Sequence, residues 1–375
     1  MPVTDRYVIR NMNEDLVLRI IIQRDSISRA DISKETLLNK ATVSSIVADL
    51  LERKLLVELG EGQSNGGRKP ILVRFNHEAA IALSADLRPD RIALMFAYLN
   101  GDILLQVVSP KMEMTLDTIL PTLLEMIAKN LPNLPKTHYG AVGLTLSIHG
   151  IVNHDMMPFS PFYDFDTLDM KAKLEQALRL PVFLENEANL GALGEKNFST
   201  PSSNLIFINV KYGLGAGIIL NNKLFTGANG FAGEVGHMIA VPDGIPCPCG
   251  NRGCLEQYAS ELKILNRYFP EDIPEKEKLL RLKADYAAGH SEAVSVIGEF
   301  ADYLAIGLNN LMTAFNPSVI VINCYLLDDP EVLKLVKSKL TYRLNGRTLI
   351  KSSTLHNNAI LLGGIHVAAN KFLGI

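Results

Sequence analysis

The sequence predicts an α/β protein: a small, mostly helical amino-terminal unit, then two lobes of similar build with a cleft between them. Three observations point there. Residues 1–77 hold three short helical patterns and a glycine-rich hairpin. From Ala80 onward the chain runs twice through a meander of apolar strands into helices. Three of the four cysteines, Cys247, Cys249 and Cys254, fall within eight residues of the second round. A length of 375 residues provides for two or three cores at roughly 150 residues each. With 47% hydrophobic residues the chain is not disordered, and no apolar run approaches the roughly 20 residues of a membrane span. The first residues lack a basic flank leading into an apolar stretch, so no export signal is expected and the cytoplasm is the default compartment. Clustered cysteines in such a chain favour metal over a disulfide framework.

Charge is divided unevenly. Residues 1–77 carry 12 Lys and Arg against 10 Asp and Glu, whereas the remainder carries 25 against 30. A net charge of −3 therefore does not exclude nucleic-acid binding by the first unit. There, Asn13 to Arg24 places Leu16, Val17, Ile20 and Ile21 on one helical stripe. Ser28-Arg29-Ala30-Asp31 offers a capping start for a second helix, Arg29 to about Thr36. Asn39 can cap a third, Lys40 to about Lys54, with Val43, Ile46, Val47, Leu50 and Leu51 inward. Its outward face begins with Lys40, Thr42, Ser44 and Ser45. Two strand-like runs, 55–59 and 70–75, flank a glycine-rich hairpin tipped by Arg68 and Lys69. Three short helices with a polar third one, then a basic hairpin, read as a winged helix-turn-helix. The third helix would present its first turns to the major groove, and Arg68 and Lys69 would meet phosphate. The competing reading is a three-helix interaction module with a solvated hairpin.

In the body, strands are expected at 80–85, 91–98 and 103–109, with Asn100-Gly101 turning the chain between the last two. An amphipathic helix over 116–130 precedes a strand at 139–147. The second round gives strands at 204–210 and 215–220, helices through 255–315, and a strand at 317–323. No strict sequence repeat accompanies the two rounds, so their likeness rests on the order of elements.

The chemistry gathers in a few segments. His237 precedes Cys247, Cys249 and Cys254 at intervals of 10, 2 and 5. Three thiolates and an imidazole suit a closed tetrahedral zinc site with no position left for water, so the expected metal role is structural. Gly233-Glu234-Val235-Gly236-His237, Glu185-Asn186-Glu187-Ala188-Asn189 and Glu256 supply carboxylates, amides and an imidazole. That mixture of acceptors and donors reads sugar hydroxyls, although each residue alone is equally a capping or solvated group.

Gly227-Ala228-Asn229-Gly230-Phe231-Ala232-Gly233-Glu234-Val235-Gly236-His237, followed by Cys247-Pro248-Cys249-Gly250-Asn251-Arg252-Gly253-Cys254-Leu255-Glu256, resembles the signature of the ROK family (repressors, open reading frames and kinases). The resemblance spans nearly the whole chain. It implies a two-lobed, actin-like fold of the sugar-kinase and ribonuclease H-like type. The repressor branch, which includes xylose and N-acetylglucosamine repressors, adds a winged helix, here residues 1–77. The lobes would then be 78–190 with 358–375, and 191–357 with the zinc loop. The resemblance maps His237, Cys247, Cys249 and Cys254 onto zinc ligands. It maps Asn186, Glu187, Glu234, His237 and Glu256 onto the sugar site, one nitrogen of His237 serving zinc and the other sugar. His149 and Gly150 join the expected pocket wall, with a buried structural histidine as the alternative reading of His149.

The departures from the family's kinases are equally specific. Glu187 stands where they hold a catalytic aspartate. Their Asp-x-Gly-Gly-Thr phosphate loop corresponds to Asp86-Leu87-Arg88-Pro89-Asp90, which has lost both glycines. Their Gly-Thr-Gly loop corresponds to Lys211-Tyr212-Gly213, and a late glycine pair to Asn323-Cys324. Phosphoryl transfer depends on these supports. The expectation is a sugar-responsive repressor that is not an enzyme. It would bind operator DNA as a homodimer or homotetramer and take a monosaccharide or derivative in a kinase-derived cleft. An active ATP-dependent sugar kinase with an accessory DNA-binding domain is the alternative. A regulator answering to a protein partner is a third reading.

Overall fold

Side-chain caps set the register of the first unit. The computed structural model describes residues 6–61, 70–340 and 347–375. Helix α1 (Arg6–Ile22) and a two-residue strand, β1 (Ile27–Ser28), lead into α2 (Arg29–Thr36), where the Asp31 amide donates to Ser28 Oγ at 3.1 Å. Helix α3 (Lys40–Glu52) begins where the Thr42 amide donates to Asn39 Oδ1 at 2.8 Å. Strands β2 (Leu56–Glu61) and β3 (Ile71–Phe75) pair antiparallel with Leu56 opposite Phe75, and β1 joins β3 as an unanticipated third strand. On α1 the buried stripe is rotated from the expected one. Val17, Leu18 and Ile21 are buried whereas Leu16 is 39% exposed, because the face centred on 17, 18 and 21 leaves 16 on the far side of the helix. Arg68 and Lys69 lie outside the described residues.

The body repeats one sheet topology twice. In the first round β4 (Ile81–Arg88), β5 (Arg91–Tyr98) and β6 (Ile103–Val108) form an antiparallel meander. After α4 (Leu116–Asn130), β7 (Ala141–Ile148) returns parallel to β4. A hairpin of β8 (Ile151–Asn153) and β9 (Met156–Phe159), then α5 (Thr167–Leu178), lead to β10 (Val182–Asn186) beside β7. Helix α6 (Glu187–Phe198) carries the chain across. The second round is β11 (Leu205–Val210), β12 (Leu214–Leu220) and β13 (Lys223–Leu224). Helices α7 (Glu256–Ala259), α8 (Glu261–Tyr268), α9 (Glu275–Ala287) and α10 (Ser291–Phe315) follow. Then come β14 (Val319–Asn323), α11 (Pro330–Ser338), β15 (Leu349–Ser352) and α12 (Asn358–Leu373). The sheet orders, β6-β5-β4-β7-β10 and β13-β12-β11-β14-β15, are the same arrangement. Strands β4, β7, β11 and β14 are covered on both faces, which is why their sequences read as unbroken apolar runs.

Helix α6 packs on β11 and β12 and helix α12 on β4 and β7. The two helices cross at glycines. A Cβ on Gly194 would overlap the Ala359 carbonyl, and one on Gly363 the Leu190 carbonyl. The far end of α12 enters another environment. Ala369 and Leu373 are buried in the same cluster as Val17, Ile21 and Leu50 of the first unit. Tyr139 Oη donates to Arg53 O at 2.8 Å across that junction.

Candidate functional site

A cavity of about 180 Å³ lies between the two sheets, where β7 and β10 deliver their carboxyl ends. His149, Gly150, Asn186, Glu187, Glu234, His237 and Glu256 all line it. Residues more than 100 positions apart therefore meet where the sequence expected one pocket.

Asn186 is the N-cap of α6. Its Oδ1 accepts from the Ala188 and Asn189 amides at 2.8 and 3.1 Å. Its Nδ2 donates to Gly150 O at 2.9 Å and to Glu187 Oε2 at 2.8 Å. Both ends of the amide are engaged, so Asn186 fixes the Glu187 carboxylate and the Gly150 carbonyl at the cavity wall. Burial raises the Glu187 carboxyl and the charge of His149 partly offsets this. Glu234 is pushed up to about 7 by burial and by the neighbouring Glu187 and Glu256 carboxylates. Three carboxylates around one small cavity suit a polyhydroxyl ligand, which donates to each of them.

His149 is only 4% exposed and is held from behind, its Nε2 lying 2.9 Å from Asp86 Oδ1. Asp86 also accepts from Ser147 Oγ at 3.0 Å and pairs through Oδ2 with Arg88 Nε at 2.8 Å. Burial alone would raise the Asp86 carboxyl, but the charges of His149 and Arg88 override it and hold it below the usual range. Strand β4 runs three residues beyond its expected end, so Asp86 and Arg88 sit in a strand and Pro89-Asp90 is a two-residue turn. At the other altered segments, Asn323 Nδ2 donates to Asn209 Oδ1 at 2.9 Å. Cys324, fully buried and apart from the other cysteines, donates to Glu261 Oε2 at 3.2 Å.

Sequence reasoning missed the remaining walls, which include Phe159, Phe162, Asn209 and Tyr212. Asn209 had a usable signal as the one polar residue in the apolar run 205–210. Tyr212 had one too, standing in the segment that corresponds to the kinases' Gly-Thr-Gly loop, whereas Phe159 and Phe162 read as core until the fold aims them at the cleft.

At the cavity's edge, His237, Cys247, Cys249 and Cys254 bring one ligand atom each within 4.8 Å of all the others. Cys249 Sγ and Cys254 Sγ are 3.7 Å apart and Cys247 Sγ is 3.6 Å from His237 Nδ1. Those separations fit a tetrahedron around one ion with metal–sulfur bonds of about 2.3 Å. Gly250 and Gly253 allow the tight loop with φ of 94° and 79°. His237 Nε2 faces away from the cysteines, 3.7 Å from Glu234 Oε2. One imidazole thus joins the Cys3His cluster to the cavity. On α3, Lys40, Ser44 and Ser45 are exposed and Thr42 is half-buried.

Paired sheets of one topology, a polar cleft between them and a Cys3His cluster at its rim define the sugar-kinase-like class of two-lobed α/β proteins. Within it, the chain belongs to the ROK family, whose model matches residues 85–370. It is 34% identical to the xylose repressor of Bacillus subtilis (strain 168), with 100% of this chain and 99% of the relative aligned. Among solved structures, a ROK family transcriptional regulator, a homolog of the E. coli MLC protein, superposes with a TM-score of 0.83 at 25% identity. That match covers 97% of this chain and 98% of the other. A ROK family glucokinase from Streptomyces griseus, in complex with glucose and AMPPNP, superposes with a TM-score of 0.65 at 27% identity. It covers 76% of this chain and 98% of its own.

Proposed function

We propose that the chain is a sugar-responsive transcriptional repressor that binds operator DNA and releases it when a monosaccharide occupies the cavity. One observation carries the reading. All seven residues expected at the sugar site converge on one cavity of about 180 Å³, while in the segment that would cradle ATP phosphate Asp86 and Arg88 lie in a strand and Asp86 is bonded to both Arg88 and His149. The likeness to a xylose repressor makes an aldopentose the first sugar to test.

In this reading residues 1–77 form a winged helix-turn-helix. Residues 78–190 with 358–375 and residues 191–357 form the two lobes, and the protein acts as a symmetric oligomer, a dimer or tetramer, presenting paired heads to a two-fold operator. Lys40, Thr42, Ser44 and Ser45 face bases and phosphate from the start of α3. Glu187, Glu234, Glu256 and His149 accept from or donate to sugar hydroxyls, with Asn186 and Gly150 holding the wall. The metal is zinc. Bound by three thiolates and His237, it supplies a fixed crosslink and leaves no coordination position open. His237 is then locked with Nε2 toward sugar, and Glu256 lines the same cavity beside it, 3.9 Å from the imidazole. Glu187 retains a carboxylate but has no phosphate-positioning loop opposite it, so no phosphoryl transfer is expected.

Sugar shifts the protein toward the DNA-released state only by its difference in affinity for the two states, typically ~1–3 kcal/mol. The test is a mobility shift with operator selected from random duplexes, titrated with xylose and a panel of monosaccharides. Glu256→Ala should abolish the sugar response and leave operator binding intact. Operator affinity indifferent to every sugar, or ATP turnover with any of them, would sink the reading.

A further inference from the structure

The turn between α2 and α3 holds a residue that packing does not explain. Leu37 is 91% exposed, well beyond Met12, which at 63% is the next most exposed large apolar side chain among the described residues. It also has φ of 60° and ψ of 14°, the left-handed conformation that glycine or asparagine takes readily and leucine only at a cost. Its neighbour Leu38 turns inward against the core of the amino-terminal unit. Leu37 thus combines a strained backbone with an apolar side chain in water, and so exposed a side chain adds almost no packing to offset either.

The turn is braced to keep it there. Ser33 Oγ donates to the Leu38 carbonyl at 2.6 Å, and the Leu38 amide donates to Thr36 Oγ1 at 3.3 Å. Thr36 Oγ1 in turn donates to the Ile32 carbonyl at 2.7 Å. Unfavourable backbone held in place by its surroundings concentrates where a ligand is met. Two residues on, Asn39 caps α3, so three Cα steps, at most about 11 Å, separate Leu37 from Lys40. Exposed Lys34 and Lys40 bracket it in sequence, while Glu35, the closest acid along the chain, is paired with Arg24 at 3.1 Å. Cationic flanks favour a polyanion over an apolar protein partner. On the base edges of the major groove, the apolar group on offer is the 5-methyl of thymine.

We propose that Leu37 is a base-reading residue that packs on a thymine 5-methyl group at the edge of each operator half-site. This rests on the reading of α3 as a DNA-recognition helix, and adds to its polar face an apolar contact made from the preceding turn. Sequence preference at that base pair then comes from Leu37, whereas Lys34 and Lys40 contribute attraction to phosphate that is the same for every sequence.

The test uses the full chain and an operator selected from random duplexes, with each thymine replaced in turn by uracil, which removes only the methyl group. One position per half-site should weaken wild-type binding about fourfold, the effect of burying one methyl-sized group. Leu37→Gly relieves the left-handed backbone and should raise the melting temperature. It should nevertheless bind operator about fourfold more weakly or worse, and be indifferent to uracil at that position. Leu37→Asn is also at ease in that conformation but polar, and the same behaviour in it separates a lost contact from a loosened turn. Lys40→Glu reports on the recognition helix by itself and should weaken binding to every duplex, uracil-substituted or not. Wild-type indifference to every uracil, or a uracil effect that persists in both Leu37 variants, overturns the thymine contact. A weakened Lys40→Glu then leaves the recognition helix standing. If Lys40→Glu binds as tightly as wild type, the recognition helix is wrong and the contact falls with it.

Discussion

Asn186 shows how much one side chain can decide. Its oxygen caps α6 and its nitrogen holds Glu187 and Gly150, so substitution separates two roles. Asn186→Ala removes the cap and should cost about 1 kcal/mol, seen as a melting point a few degrees lower, together with weaker sugar binding. Asn186→Asp keeps a capping acceptor but loses both donor contacts and sets a second carboxylate against Glu187. It should melt near wild type yet bind sugar at least as poorly as the alanine variant. If the aspartate variant binds sugar normally, the positioning role is wrong. That the seven residues line one cavity was legible through the family resemblance, which joins segments whose carboxylates, amides and imidazoles each have a bland use alone. Phe159 and Phe162 were not, because an aromatic ring looks the same in sequence whether it fills a core or walls a cleft. Leu16 and Leu18 exchanged places for a similar reason: an apolar-rich helix has more than one plausible stripe, and only packing selects it.

Elements with a cap and a clear period were the readable ones. Helix α4 matched its expected bounds, and α2 started where Ser28 could cap it. Strands β1, β8, β9, β13 and β15, of two to four residues, are too short for alternation to register and exist because a longer neighbour pairs with them. The crossing of α6 and α12 also carried no sequence signal, since a helical glycine ordinarily reads as a weak point. There, magnitudes decide the sign. Gly→Ala inside a helix gains up to about 1 kcal/mol of propensity. At Gly363 the new Cβ meets the Leu190 carbonyl, and overpacking against backbone costs ~1–3 kcal/mol. Gly298 in α10 is the control, because a Cβ there meets nothing within 4 Å. Gly363→Ala should therefore lower the melting temperature and Gly298→Ala raise or preserve it. Equal shifts of one sign would show that the crossing is not tight.

At the scale of the molecule, one helix touches every part that has to communicate. Helix α12 starts at the α6 crossing, lies along the first sheet and ends with Leu373 in the core of the amino-terminal unit. Sixteen residues at 1.5 Å each make a rigid rod of about 24 Å. A change of angle between the lobes moves its near end, and a packed far end cannot stay behind without opening the core around Val17, Ile21 and Leu50. Linkage makes the consequence measurable. If sugar weakens operator binding by some factor, operator weakens sugar binding by the same factor. Leu373→Ala empties the contact at the far end while leaving the cavity, the Cys3His cluster and α3 in place. As a buried leucine near a chain end it should cost about 2 kcal/mol, at the low end of the range for such changes. Its diagnostic effect is on coupling. Sugar affinity of the free protein should match wild type, while the ratio of operator affinities without and with sugar falls toward one. That ratio, measured by fluorescence anisotropy across a sugar titration, decides the matter. A variant that is less stable yet keeps the full ratio would place the transmission outside α12, in the direct contact of Tyr139 with Arg53.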